Sequence, residues 1–149
     1  MSDPGADYRF RDGAAPLIAE IDAALDRGEI DEAGWHARVA DILRPAYLAA
    51  PTPQAQSGFS GGPLAWEHAR GLLADGIDRS GTFLDIGCAN GLLMETMVRW
   101  CAAKRIRIEP YGLDIVPELA ALARSRLPHW DERIFVGNAL TWMAPIRFD

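Results

Sequence analysis

Three short segments carry residue types able to do chemistry, and each closes an apolar run. The first is Asp85-Ile86-Gly87-Cys88-Ala89-Asn90-Gly91. An acid is followed by small residues, which let a ligand approach the backbone, and a helical pattern starts near Asn90. A helix N-terminus presents unpaired N–H groups and favours negative charge. The second segment is Gly112-Leu113-Asp114, whose acid stands 23 positions after Gly91. That is near the ~20-residue spacing at which an acid meets a ribose diol in nucleotide-binding folds. A carboxylate accepts and does not donate, so it suits a pair of hydroxyl groups. The third is Gly137-Asn138-Ala139, with an amide that can both donate to and accept from an adenine edge. Each segment alone has a plainer reading. Asp85 can cap a turn, Asp114 can be a loop acid ahead of Pro117, and Cys88 has no neighbouring base to make it a nucleophile.

The elements that must position these residues alternate in type. Thr82–Ile86 is a short apolar run bounded by glycines, which predicts a buried parallel strand. Leu93, Met97, Trp100 and Cys101 mark a helix face, and residues 106–113 predict a second strand. Pro117 opens a second helix with Leu119, Leu122, Ala123 and Leu127 on one side. Residues 133–136 predict a third strand, and residues 146–149 the opening of a fourth. Strand–helix–strand alternation implies right-handed crossovers and a parallel sheet. Ligands of such sheets bind outside the carboxyl ends of the strands, where the three segments fall.

Upstream, residues 1–14 are polar and predict a loose arm. Leu17, Ile18, Ile21 and Leu25 repeat at helical spacing, and Gly28 stops that helix. Asp31 can cap the next, in which Trp35, Val39, Ile42 and Ala46 share a face and Pro45 predicts a kink or an end. These stripes read as packing surfaces, with a substrate lid as the less favoured alternative. Residues 51–62, rich in Pro, Gly and Ser, form a linker between this helical cap (1–50) and the sheet-forming part (63–149). Pro63 suits the first turn of a helix running to about Asp75, with Leu64, Ala65, Leu72 and Leu73 as its apolar residues. Trp66 reads as core, while Phe59 suits either core or ligand closure.

A dinucleotide fingerprint starting at Gly87 would place glycines at 87, 89 and 92, where Ala89 and Leu92 stand instead. No Gly-Lys-Ser/Thr is present, so there is no phosphate-cradling loop of that kind. A ligand with ribose and adenine but no pyrophosphate fits better. Taken together, Phe83–Gly91, Tyr111-Gly112-Leu113-Asp114-Ile115 and Gly137-Asn138-Ala139 resemble the class I S-adenosylmethionine-dependent methyltransferases over residues 63–149. The resemblance implies an α/β, Rossmann-like parallel sheet and S-adenosylmethionine as cofactor. It also implies that Gly87, Cys88, Ala89 and Gly91 line the methionine side, with Asp85 at the head of that loop. Asp114 would hold the ribose hydroxyls, Ile115 would pack on adenine, and Asn138 and Ala139 would meet its edge. Ala89 departs from the commoner glycine. The family sheet has seven strands in the order 3-2-1-4-5-7-6, so the chain is expected to be an N-terminal part of such an enzyme, inactive alone. The methyl acceptor, any catalytic base and any metal role find no candidate residues. Two alternatives stand beside this reading: a non-catalytic truncated remnant and a nicotinamide-dependent oxidoreductase.

Composition narrows the classes. The 149 residues carry 15 Lys+Arg against 21 Asp+Glu, a net charge of −6, which argues against a broad nucleic-acid-binding surface. Two cysteines and three scattered histidines give neither a disulfide framework nor a zinc spacing. No signal-peptide pattern and no membrane-length apolar run is read, so a cytoplasmic setting is the expectation.

Overall fold

The structure, a computed structural model, describes residues 4–149, with side chains from residue 13 onward. It opens on two helices, α1 (Pro4–Asp26) and α2 (Glu32–Ala49). Residues 4–14, expected to be a loose arm, are part of α1; residues 1–3 lie outside the described residues. The turn follows the predicted signals. Gly28 takes φ +69°, open to glycine without strain, and the Asp31 carboxylate accepts the Gly34 N–H at 2.7 Å to cap α2. The Trp35 indole N–H donates to Asp22 across the pair at 2.7 Å. Ala14, Ile21 and Ala24 form the buried side of α1, whereas Leu17 is half-exposed. Pro45 does not end α2, which continues to Ala49. Pro45 and Asp41 are both exposed, so water can take the carbonyl that loses its N–H partner.

The linker is not featureless. Thr52-Pro53 pairs an N-cap with a first-turn proline, and a single turn, α3 (Pro53–Gln56), forms there with the Ala55 N–H on Thr52 Oγ1 at 3.2 Å. Helix α4 (Pro63–Arg70) follows, and Gly71–Gly76 tightens into a 3₁₀ stretch rather than continuing as α-helix. Trp66 and Ala74 are buried here, while Leu64 and Leu72 face outward.

Three parallel strands, β1 (Gly81–Ile86), β2 (Ile108–Asp114) and β3 (Ile134–Val136), stand side by side in that order. Helix α5 (Leu92–Ala103) links the first two, and α6 (Pro117–Arg126) the second two. Two crossovers of the same hand running in the same direction place both helices on one face. Met94 of α5, Ala120 and Ala123 of α6, and Ile134 of β3 accordingly share one buried cluster. Met97, Cys101, Ile108 and Ala74 form a second, with Phe83 packed against it. The opposite face is met by the C-terminal segment: Trp142 tilts on Phe135 with ring centroids 5.4 Å apart, and Phe148 stands edge-on to Tyr111 at 5.2 Å.

Residues 146–149 do not form the expected fourth strand. The Asp149 carboxylate, instead of a backbone carbonyl, takes the Thr82 N–H at 2.9 Å, and the Asp149 N–H donates back to Thr82 Oγ1 at 3.0 Å. A side chain thereby holds the start of β1, and no ladder is built. Among the described residues β1 has one strand neighbour, β2.

Candidate functional site

Register fixes the site. Asp85 pairs with Gly112, Leu113 with Phe135 and Asp114 with Val136, so the three singled-out segments emerge side by side from the carboxyl end of the sheet. The connection from β1 to α5 turns back on β2, with the Gly87 and Cys88 N–H groups both donating to the Leu113 carbonyl, at 2.7 and 3.1 Å. That reversal needs left-handed backbone at Gly87 (φ +78°) and Gly91 (φ +77°). At Gly91 space matters as well, because a Cβ there would lie 2.6 Å from Leu127 Cδ1. Ala89 also takes positive φ, +47°, an unfavourable region for an L-residue. Its N–H donates to Asp114 Oδ2 at 2.8 Å, which ties the strained residue to the neighbouring strand.

Asp114 is buried, and its second oxygen accepts the Val116 N–H at 2.8 Å. Burial pushes its carboxyl above the usual range, opposed by those two N–H bonds. Each oxygen keeps a further lone pair for another donor. Asp85 differs. It is 8% exposed as a residue; among the described residues no donor reaches its carboxylate, and because no buried side-chain oxygen there lacks a partner, the carboxylate oxygens meet solvent. Burial first, and the Asp114 charge second, raise its pKa to about 6, with Arg70 pulling the other way. Two buried carboxylates at neighbouring strand ends, one lacking a partner, make a place for a ligand with hydroxyl and ammonium donors.

The remaining predicted residues fall around these two. Ile115 is half-buried and packs beside Ala89, Val116 and Leu119. Asn138 Oδ1 accepts the Leu140 N–H at 3.0 Å and its amide reaches the Ala33 carbonyl at 3.4 Å, while Ala139 is exposed. Cys88 is buried with its thiol pushed up, by burial first and then by Asp114 and Asp85, which removes nucleophilic character. Gly112 is required beneath it, since a Cβ there would meet Met94 Sδ at 2.7 Å and Cys88 Sγ at 2.8 Å. His36, His68 and His129 are all exposed and far apart in sequence. Among the described residues no cluster of metal-ligating side chains is formed and no helix is long and apolar enough to cross a membrane.

Asn90 has a role that its position in the loop did not reveal. It is fully buried, and its amide N–H groups donate to the Pro53 carbonyl at 2.9 Å and to Gln56 Oε1 at 3.1 Å. Its carbonyl oxygen accepts from Ser57 Oγ at 2.7 Å and from the Leu92 N–H at 3.1 Å. Asn90 thus takes the first N–H of α5, that of Leu92, and pins α3 to the loop, and Arg126 reaches its backbone carbonyl at 2.7 Å. A buried asparagine within a glycine loop is a detectable sign of such a joint; Gln56 and Ser57 in a Pro/Gly-rich stretch carry no sign at all. Helix α2 was not expected at the site either, yet Ala40 and Tyr47 pack on Ala89, Val116 and Leu119. Two surface grooves, of about 420 and 300 Å³, lie elsewhere, along α1 near Arg27 and Arg38 and at Val98–Ile108.

No protein-family model matches the chain, and no curated protein matches its sequence.

Proposed function

We propose that the strand ends bind S-adenosylmethionine and that the chain is the cofactor-binding part of a Rossmann-like methyltransferase. The observation that carries this reading is the carboxylate pair, Asp85 with no protein donor and its oxygens open to solvent, and Asp114 already tied to the Ala89 loop. Asp114 would accept the ribose hydroxyls through its remaining lone pairs. Asp85 would face the ligand's ammonium group, whose charge offsets the cost of burying the carboxylate. Ile115 would pack on adenine, Asn138 and Ala139 would meet its edge, and Gly87, Cys88, Ala89 and Gly91 would line the methionine side. When bound, the cofactor supplies an electrophilic methyl group on a sulfonium to an acceptor nucleophile. This chain's residues would orient it and exclude water, as a buried loop and the anchored Asp114 carboxylate suit them to do. A nicotinamide dinucleotide fits less well. The third fingerprint position is Leu92, a buried leucine where a glycine is needed for close helix–strand packing.

Calorimetry with S-adenosylhomocysteine, S-adenosylmethionine and NAD tests the reading. Binding of the two adenosyl ligands at one site, with NAD silent, is expected. NAD binding tighter than S-adenosylhomocysteine, or no binding of either adenosyl ligand, would overturn it.

A further inference from the structure

Helix α2 runs over the site, yet none of its 18 residues is buried. Its apolar stripe, Trp35, Val39, Ile42 and Ala46, is half-covered throughout. Apart from its pairing with α1 through the Trp35–Asp22 hydrogen bond, three kinds of contact hold it to α6 and to the loops at the strand ends. Ala40 and Tyr47 pack on Ala89, Val116 and Leu119. Arg44 lies 3.9 Å from Glu118, a long pair between partly exposed groups. The Asn138 amide reaches the Ala33 carbonyl at 3.4 Å, near the limit of a hydrogen bond. Long, exposed pairs and half-covered apolar contacts are the weak end of the scale.

The segment after α2 is held quite differently. Ala50 leaves the helix in extended backbone, and within a few residues the chain is fastened to the buried Asn90 side chain, whose amide donates to the Pro53 carbonyl and Gln56 Oε1 and whose oxygen accepts from Ser57 Oγ. A weakly held helix therefore adjoins a firmly held turn, with Ala50–Thr52 between them. The residues under the weak part are Ala89 and Val116, whose N–H groups hold the Asp114 carboxylate, and Asn138, which follows the neighbouring strand β3. Elements with few buried contacts open first, and those covering ligand sites are drawn from that class.

We propose that α2 is a displaceable lid on this site. It swings about Ala50–Thr52, uncovers Ala89, Val116 and Asn138 to admit an adenosine-sized ligand, and recloses with Tyr47 as its contact on that side. The inference rests on reading the strand ends as the ligand site, but its first test needs no ligand.

Hydrogen exchange on the full chain should show the amides of α2 exchanging at least about 10-fold faster than those of α5 and β2, through openings that leave the sheet intact. Tyr47→Ala should accelerate α2 and the Ala89 and Val116 amides together, with α5 unchanged. Equal rates in α2 and α5, or a Tyr47→Ala effect confined to α2, would overturn the lid. The second test is a reversible lock. Arg44→Cys and Glu118→Cys are bridged by a short cleavable thiosulfonate reagent; Cys88 and Cys101 are buried and out of its reach. Locking should slow S-adenosylhomocysteine association about 10-fold or more, and reduction should restore it. Equal association rates before and after bridging would refute the lid. If the unbridged protein does not bind S-adenosylhomocysteine, the cofactor reading fails alone and the exchange experiment decides the lid.

Discussion

Asp85→Asn should make the protein more stable at pH 8 and a poorer binder of S-adenosylhomocysteine. The residue is 8% exposed, and burial and the Asp114 charge raise its pKa from 3.8 to about 6. Between those values the folded chain holds a proton that the unfolded chain has lost. Stability therefore falls as pH rises through that window and stays lowered above it. With its pKa moved from 3.8 to about 6, at about 1.4 kcal/mol per tenfold change, the ionised carboxylate costs the fold about 3 kcal/mol at pH 8. At pH 4 the folded group is protonated and little of that cost remains. Asparagine is nearly isosteric and cannot ionise, so the advantage of the variant over the parent should follow the same curve. At roughly 2–4 °C per kcal/mol for a chain of this size, the gain at pH 8 is about 6–12 °C in Tm. Paired thermal melts at pH 4 and pH 8 read the difference. Calorimetry should show weaker S-adenosylhomocysteine binding by about 1.5–3 kcal/mol, the value of a hydrogen bond to a charged group. Opposite signs for stability and affinity are what a carboxylate kept for a ligand would give. A variant less stable than the parent at pH 8 would refute the reasoning, because Asp85 would then have a structural partner.

Asp114→Ala should weaken S-adenosylhomocysteine binding by about 1.5–3 kcal/mol, and unchanged affinity by calorimetry would remove Asp114 from the site. It should also lower stability by about 1–3 kcal/mol in urea melts, because the buried Ala89 and Val116 N–H groups lose their acceptor. Gly91→Ala combines positive φ with a contact 2.6 Å from Leu127 Cδ1, and should cost about 2–4 kcal/mol in urea unfolding. Cys88 and Cys101 are buried with raised thiol pKa values, so Ellman's reagent at pH 8 should react with neither until the chain unfolds. Rapid reaction in the folded protein would show that the loop opens without global unfolding.

The parallel order of the sheet was legible because period and punctuation agree within each unit. Gly81 and Gly87 bracket β1, and Pro117 starts α6 at its first position. The co-location of Asp85, Asp114 and Asn138 follows from that order alone, since residues at the ends of adjacent parallel strands must share one edge. What failed to read were features decided by packing or solvent exposure. Pro45 predicts a kink or an end, and of these the end does not occur, because a proline on the wet side of a helix gives up a hydrogen bond that water replaces. The expected fourth strand had strand-like residues, yet the Asp149 carboxylate competes for the Thr82 N–H that a ladder would use. The part played by Asn90 needs Pro53, Gln56 and Ser57, more than 30 positions away, and no local pattern announces such a set. The same distance hides the lid. The stripe on α2 predicts that something is covered, but which surface it covers is settled by how Tyr47 and Ala40 meet Ala89 and Val116. Sequence thus reports which residue types stand at the strand ends, because they lie within short segments. Control over access is carried by long-range contacts among half-buried residues, where small changes in packing shift the balance between a closed and an open site.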